Sequence, residues 1–410
     1  MGGISNLSAP KHWHHLPPKE NPFSCFALDS SRESTPPLVV VGSANADIYV
    51  EIDRLPKEGE TISAKTGQTL AGGKGANQAV CGGKLAYPTY FLGQVGDDAH
   101  GKLITEALDG GGVFLDHLSR LDDVSTGHAV VMLQAGGQNS IIIVGGANMA
   151  CWPETLPEED LEVVRNAGIV LLQREIPDSV NIQVAKVARS ARVPVILDAG
   201  GVDAPIPIEL LNFVDILSPN ETELARLTNM PTETFEQITE AVGKCHKLGV
   251  KQVLVKLGAK GSILFNEGEE LIRQPVISAR KVIDTTGAGD TFTASFAVAL
   301  VEGKSKKECL RFAAAAASLC IQVKGAIPSM PDRKSIHAVA KFENSSLPTT
   351  DIDSTHCRHC YPLIGPSSSP AKVITMIHGG NREWGFIASN VVVMLEETTT
   401  LRHIVAWRWD

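Results

Sequence analysis

The chain has 410 residues, a net charge of −9 and an ordinary apolar content of 43%, enough for a large core. No Lys/Arg-rich stripe is present, which argues against nucleic acid as a partner. No apolar run approaches the roughly 18 residues of a membrane helix, and the eight cysteines are thinly spread, as free thiols in a reducing compartment would be.

Residues 1–37 hold serines, prolines and three histidines but no apolar core segment, so they do not read as a secretory signal. They are expected to be a disordered leader or an organellar transit peptide. Plastid and cytoplasm are the two compartments to weigh. Poverty in arginine and the acids Glu20, Asp29 and Glu33 count against the transit peptide.

Order is expected from Leu38. Apolar runs at 38–41, 169–172, 193–197, 216–217 and 253–257 read as buried parallel strands. Helical patterns lie between them, at 179–191, 221–227 and 235–247. That alternation predicts an α/β fold, a parallel central sheet with helices on both faces. Two stretches break the rhythm. Residues 47–55 with 61–70, and 128–133 with 140–144, read as β without helices between, the second pair turning at Ala135-Gly136-Gly137-Gln138. They predict a small separate sheet, at about 46–70 and 127–145, placed as a lid. A helix is expected at 306–323. Periodicity fades from Glu343, so 343–410 reads as an atypical, poorly ordered tail, its one strand-like run at 391–395.

The densest chemical signal is Asp284-Thr285-Thr286-Gly287-Ala288-Gly289-Asp290-Thr291-Phe292, with helical pattern directly after it. Glycines before a helix bare its N–H groups, and the helix end adds partial positive charge. Such an anion hole stabilises a phosphoryl group in transfer. Asp290 at its mouth is placed to accept a proton from an attacking hydroxyl. Alone, Asp290 would read as a helix N-cap; the Gly-Ala-Gly before it favours chemistry.

Ala71-Gly72-Gly73-Lys74-Gly75-Ala76-Asn77-Gln78 offers close backbone approach, donors from Lys74 and Asn77, and an acceptor from Asn77. It is not a P-loop, because no Ser or Thr follows Lys74, and its glycine spacing is not a dinucleotide fingerprint. Its plain reading is a turn opening a helix. Gly42-Ser43-Ala44-Asn45-Ala46-Asp47 follows the first strand, where open α/β sheets bind ligands. Asn45 and Asp47 project the same way on an extended chain and suit a polyhydroxylated ligand; the plain reading is a turn. Asn220 and Glu223 read both as a capping pair and as a Mg²⁺–water carboxylate. Lys256-Leu257-Gly258-Ala259-Lys260-Gly261 is a nucleotide wall or a hairpin.

In this order the pieces resemble the ribokinase, or phosphofructokinase-B, family of sugar kinases, over roughly 38–333. Asn45, Asp47 and Lys74 in Gly-Gly-Lys-Gly-Ala-Asn are similar to its ribose-specific branch, and the wording to its land-plant members. The resemblance implies ATP-dependent phosphorylation of D-ribose at the 5-hydroxyl. It implies that Asn45, Ala46, Asp47, Gly73, Lys74, Gly75, Ala76, Asn77 and Glu175 bind the sugar. Asp290 would be the general base, and Gly287, Ala288 and Gly289 the anion hole. Asn220, the turn Lys256, Leu257, Gly258, Ala259, Lys260 and Gly261, and Gly289 would line ATP, with Glu223 acting through Mg²⁺. An activating K⁺ would be held by Asp284, Thr286, Cys320, Val323, Gly325 and Ser329, mostly through carbonyls. The exposed lid edge suggests a homodimer.

The chain departs from the family at Ala314, where relatives often place His or Asn near the adenine, and in the tail beyond Glu343. His356-Cys357-Arg358-His359-Cys360 lacks the second ligand pair that a zinc site needs. The competing readings are another sugar or nucleoside kinase of the family, and a non-enzyme that kept the fold. A substrate panel separates the first; the second should have lost Asp290 or the glycines, and both are present.

Overall fold

The computed structural model describes residues 35–134 and 139–346, and strands at 14–15, 375–379, 383–388, 391–398 and 401–408; side chains are described for 35–134 and 140–340. The expectations for the rest of the leader, for the Ala135–Gln138 turn and for His356–Cys360 lie outside those residues.

The chain divides into two units, Met1–Pro348 and Thr349–Asp410. The first is built on a ten-stranded sheet. Its strands lie in the order His14–His15, Leu118–Leu121, Thr89–Gly96, Leu38–Val41, Ile169–Arg174, Val195–Gly201, Ile216–Ser218, Gln252–Lys256, Ser262–Asn266, Ile272–Gln274. From Leu118–Leu121 to Gln252–Lys256 every pairing is parallel. The last two strands and His14–His15 pair antiparallel.

Alternation along each strand divides the core between the two faces of the sheet. Leu38, Val40, Ile169, Leu171 and Ile196 pack on one side with helices Lys74–Lys84, Ala288–Val301 and Lys306–Cys320. Val39, Val41, Val170, Leu172 and Leu197 pack on the other with Asp178–Ser190 and Phe235–Lys247. Each fully buried Leu, Val or Ile contributes about 1.5–3 kcal/mol relative to exposure. These positions fix the register, because a one-residue slip would exchange the two faces. The expected α/β fold is therefore observed: the run 38–41 is a strand as read, 169–172 runs on to Arg174 and 216–217 to Ser218, while 193–197 is placed at Val195–Gly201 and 253–257 at Gln252–Lys256.

A second sheet of four strands runs Thr66–Gly72, Asn45–Ile52, His128–Gln134, Asn139–Val144. The central pair is parallel and the outer pairs antiparallel. Its small core is Tyr49, Ala129 and Val131. This is the expected lid. One detail differs. Asn45 does not sit in a turn after the first strand but begins the lid strand, so Asn45 and Asp47 belong to the lid itself.

The second unit holds an antiparallel sheet, Thr375–Gly379, Glu383–Ala388, Val391–Thr398 and Leu401–Arg408 in sequential order, where the sequence suggests a single strand. Among the described residues no helix is long and apolar enough to cross a membrane, and Cys81, Cys151, Cys245, Cys309 and Cys320 are free.

Candidate active site

Parallel strands deliver their polar residues to one edge of the sheet, the carboxyl edge. Leu38–Val41 leads to Ser43 and Asn45, and Ile169–Arg174 to Glu175. Val195–Gly201 carries Asp198, Ile216–Ser218 leads to Asn220, and Gln252–Lys256 ends on Lys256.

The helix Ala288–Val301 starts at Gly287, which has φ of 77° and makes no side-chain cap. That left-handed conformation suits glycine, and a Cβ there would also meet Ala326 at 2.8 Å. The Ala288 N–H meets the Thr285 carbonyl at 3.2 Å. Gly289 and Asp290 lie in the first turn, where N–H groups have no helical partner. Asp290 is not the N-cap. Its carboxylate faces inward, 5% exposed, and accepts from Asn77 Nδ2 at 2.8 Å and Gln78 Nε2 at 3.4 Å. Gln78 is held in turn by Gln173 Nε2 at 2.7 Å. Burial, with the neighbouring Asp198 and Glu175 charges, raises the Asp290 pKa above the ordinary carboxylate value, against the pull of Lys74.

Lys74 opens the helix Lys74–Lys84, whose glycines bring it against the first strand: a Cβ on Gly75 would meet Ser43 N and O at 2.7 Å. The Lys74 N–H donates to Glu175 Oε2 at 3.1 Å, and Ser43 Oγ donates to the same oxygen. The Lys74 ammonium stands 3.7 Å from Asp290 Oδ1 and 3.6 Å from Asp198 Oδ1. Burial works against its charge, but Asp198, Asp290, Glu223 and Glu175 outweigh that and hold its pKa well above the usual lysine value.

Asp198 escapes the sequence reading, which ends that strand at Leu197. It is fully buried. Lys256 Nζ donates to its Oδ2 at 2.6 Å, and Thr293 Oγ1 at 3.2 Å; Gly200 N donates to Oδ1 at 3.1 Å. Burial opposes its charge, yet Lys256 and Lys74 keep its pKa well below the usual carboxylate range. A charged Asp at the end of an apolar run, on the carboxyl edge, was the available signal.

On the lid side, Asn45 and Asp47 are 4% and 9% exposed. Burial, then the Glu175 and Asp290 charges, push the Asp47 pKa up to about 7. Asn148 is a second residue that the sequence reading missed. It ends the short turn Gly146–Asn148 after the last lid strand. Ala44 fixes its amide through N–H to Oδ1 at 2.8 Å and O from Nδ2 at 3.1 Å. Nδ2 also donates to Asn45 Oδ1 at 2.7 Å.

Further along the edge, Asn220 and Glu223 form a full capping box on helix Glu221–Thr228. Glu223 Oε2 accepts from Asn220 N at 2.8 Å. Its Oε1 lies toward Lys74: a Cβ on Gly200 would meet Lys74 Nζ at 2.6 Å and Glu223 Oε1 at 2.7 Å. The residues after Lys256 form a hairpin. Gly258–Lys260 is a single 3₁₀ turn, and Ser262–Asn266 returns antiparallel to Gln252–Lys256. Ala314 is buried in the helix Lys306–Cys320.

The residues of the expected cation ring also lie together. Asp284 Oδ1 accepts from Thr286 N at 2.9 Å and Oδ2 from Gly325 N at 2.8 Å. Cys320 Sγ lies 3.0 Å from Ser329 Oγ and donates to the Thr286 carbonyl at 3.8 Å. Val323 is 45% exposed at the rim.

Comparison with known proteins agrees with this fold. The model of the pfkB family of carbohydrate kinases matches residues 36–333. A ribokinase of Arabidopsis thaliana is 76% identical over 309 residues, covering 75% of this chain and 82% of that protein. The structure of Arabidopsis thaliana ribokinase complexed with ribose and ATP superposes with a TM-score of 0.73 at 76% identity, over 75% of this chain and 99% of that one. Ribokinase from Thermotoga maritima superposes with a TM-score of 0.67 at 35% identity, over 75% and 99% of the two chains. The chain belongs to the pfkB family of carbohydrate kinases.

Proposed function

We propose that this carbohydrate kinase transfers the terminal phosphate of ATP to the 5-hydroxyl of D-ribose. The observation that carries the reading is the inward-facing Asp290, held by Asn77 in the first turn of a helix with no side-chain cap. Asn45, Asp47, Lys74, Asn77 and Glu175 supply the donors and acceptors for a small polyhydroxylated ligand. High identity to a ribokinase whose structure holds ribose and ATP supports the substrate pair.

Asp290 takes the proton of the 5-hydroxyl as that oxygen bonds to the γ-phosphorus. The bond from phosphorus to the β–γ bridging oxygen breaks, and ADP leaves with its electron pair. The N–H groups of the Gly287–Asp290 turn receive the charge on the phosphoryl oxygens. Asn77 keeps the Asp290 carboxylate aimed, and Lys74 favours its ionised form.

Glu223 fits a Mg²⁺–water shell, since one of its oxygens caps Asn220 and the other faces the cleft; Mg²⁺ when bound neutralises phosphate charge. The ring of Asp284, Ser329 and the carbonyls of Thr286, Cys320, Val323 and Gly325 is rich in hard oxygen donors and suits K⁺. Its residues tie the anion-hole turn to the Gly325 turn, so the ion would set loop geometry without touching substrate. The outer lid strand exposes Ile141, Ile142, Ile143 and Val144 at 40% or more. A second copy covering that edge gives a homodimer.

The test is ADP release by the full chain with ATP, Mg²⁺, K⁺ and D-ribose, beside a panel of other sugars and nucleosides. Release that depends on ribose supports the reading. A stronger response to another sugar or a nucleoside replaces the substrate, and the same assay on a chain ending near Lys341 reads the effect of the tail.

A further inference from the structure

Lys256 enters the sequence reading only as the first residue of a turn beside ATP. The structure places its ammonium elsewhere. Its backbone N–H bonds the Pro219 carbonyl at 2.9 Å, and its side chain runs back across the carboxyl edge to Asp198, 2.6 Å away. On the way it passes the anion-hole helix. A methyl group on Gly289 would lie 3.8 Å from Lys256 Nζ and 4.0 Å from its Cδ. The side chain is 12% exposed, so it is reachable from the cleft, whereas Asp198 is wholly enclosed.

The charge pattern gives this position meaning. Asp47, Glu175, Asp198, Glu223 and Asp290 share the cleft with two lysines, Lys74 and Lys256. Lys74 is already paired across Asp198 and Asp290, on the sugar side. A nucleotide carrying several negative charges needs compensation beyond Lys74, and Lys256 is a second cation beside the turn that would receive its terminal phosphate. Asp198 is buried and also held by Lys74, Thr293 and Gly200, so it stays compensated when Lys256 turns toward a phosphate.

We propose that Lys256 is a catalytic residue whose ammonium, held on Asp198, binds oxygens of the phosphoryl group as it passes from ADP to the sugar. This rests on the kinase reading above. The sugar oxygen gains phosphorus, ADP keeps the electron pair of the broken bond, and Asp290 holds the proton; Lys256 exchanges none and supplies charge alone. Asp198 is then a positioning residue, which aims the ammonium before ATP arrives.

The experiment compares wild type, Lys256→Met, Asp198→Asn and the double variant Lys256→Met/Asp198→Asn. A loss of one transition-state charge contact predicts that Lys256→Met lowers kcat by roughly 10²–10³-fold, with the KM for ribose little changed. In the presence of ribose it should weaken ADP with aluminium fluoride, a mimic of the phosphoryl in flight, at least tenfold more than ADP alone. A structural role makes a different prediction. If Lys256 served only to neutralise Asp198, the double variant, which removes both charges, would recover the rate. We expect it instead to melt close to wild type and remain slow. Recovery in the double variant, or Lys256→Met turning over within a few-fold of wild type, overturns the proposal. A wild type that responds to another sugar and not to ribose overturns the substrate reading alone, and the Lys256 comparison is then made with that sugar. A wild type inactive with every sugar overturns both.

Discussion

Asn148 Nδ2 donates to Asn45 Oδ1 at 2.7 Å, and the backbone of Ala44 dictates which end of the Asn148 amide does so. With Oδ1 engaged, Asn45 is left to present its Nδ2 to a ligand. Asn148 therefore sets the polarity of the sugar contact proposed for Asn45 without itself making one. Asn148→Ala should raise the KM for ribose roughly tenfold, the scale of one buried hydrogen bond and its orphaned partner, and change kcat less. Steady-state kinetics in ribose check this; a kcat loss at unchanged KM would contradict it.

Asp47 makes stability depend on pH. In the folded chain its pKa is about 7, against an ordinary value of 3.8, because burial and then the Glu175 and Asp290 charges resist ionisation. The folded state thus keeps a proton that the unfolded chain releases at lower pH. Stability should fall as pH rises from about 4 to about 7. Asp47→Asn should flatten that fall and raise the melting temperature at pH 8. Thermal denaturation across that range decides it.

Asp290→Asn keeps the hydrogen bond geometry to Asn77 only in part and removes the base. Turnover should drop by roughly 10²-fold or more, while calorimetry still detects ribose. The raised pKa of Asp290 also predicts that turnover of the wild type declines toward acid pH at a value above that of an ordinary carboxylate. Near-normal turnover in Asp290→Asn would remove Asp290 from the base role.

Replacing K⁺ with tetramethylammonium, too large for the Asp284–Ser329 ring, should lower turnover severalfold without abolishing nucleotide binding. Equal rates in the two salts would leave that ring a purely structural tie between the Thr286 and Gly325 turns.

Ile142→Lys places a charge in the middle of the exposed lid edge. Sedimentation should show a dimer for the wild type and a monomer for the variant at the same concentration. A wild type that sediments as a monomer refutes the lid-to-lid contact.

The sheet and its helices were legible because buried parallel strands read as unbroken apolar runs, such as Leu38–Val41, and the uncapped start of helix Ala288–Val301 because Gly287 and Gly289 stand beside a helical pattern. Asp198 and Lys256 were harder. Asp198 directly follows the apolar run 193–197, where sequence suggests only that the strand has stopped, and Lys256 reads only as the start of a turn beside ATP. Their meaning comes from a pairing between residues 58 positions apart. Asn148 was hidden for another reason: an Asn in Gly145-Gly146-Ala147-Asn148 reads as a turn residue, and only the fold carries it back to Ala44 and Asn45.

The lid strand Asn45–Ile52 has a final consequence. Asn45 and Asp47 ride on the lid, so their proposed binding of the sugar makes sugar contacts and lid position one equilibrium seen from two sides. Affinity for the sugar is the intrinsic affinity scaled by the fraction of molecules with the lid down. A substitution far from the cleft, at the outer edge of that small sheet, will therefore alter sugar affinity without touching the sugar.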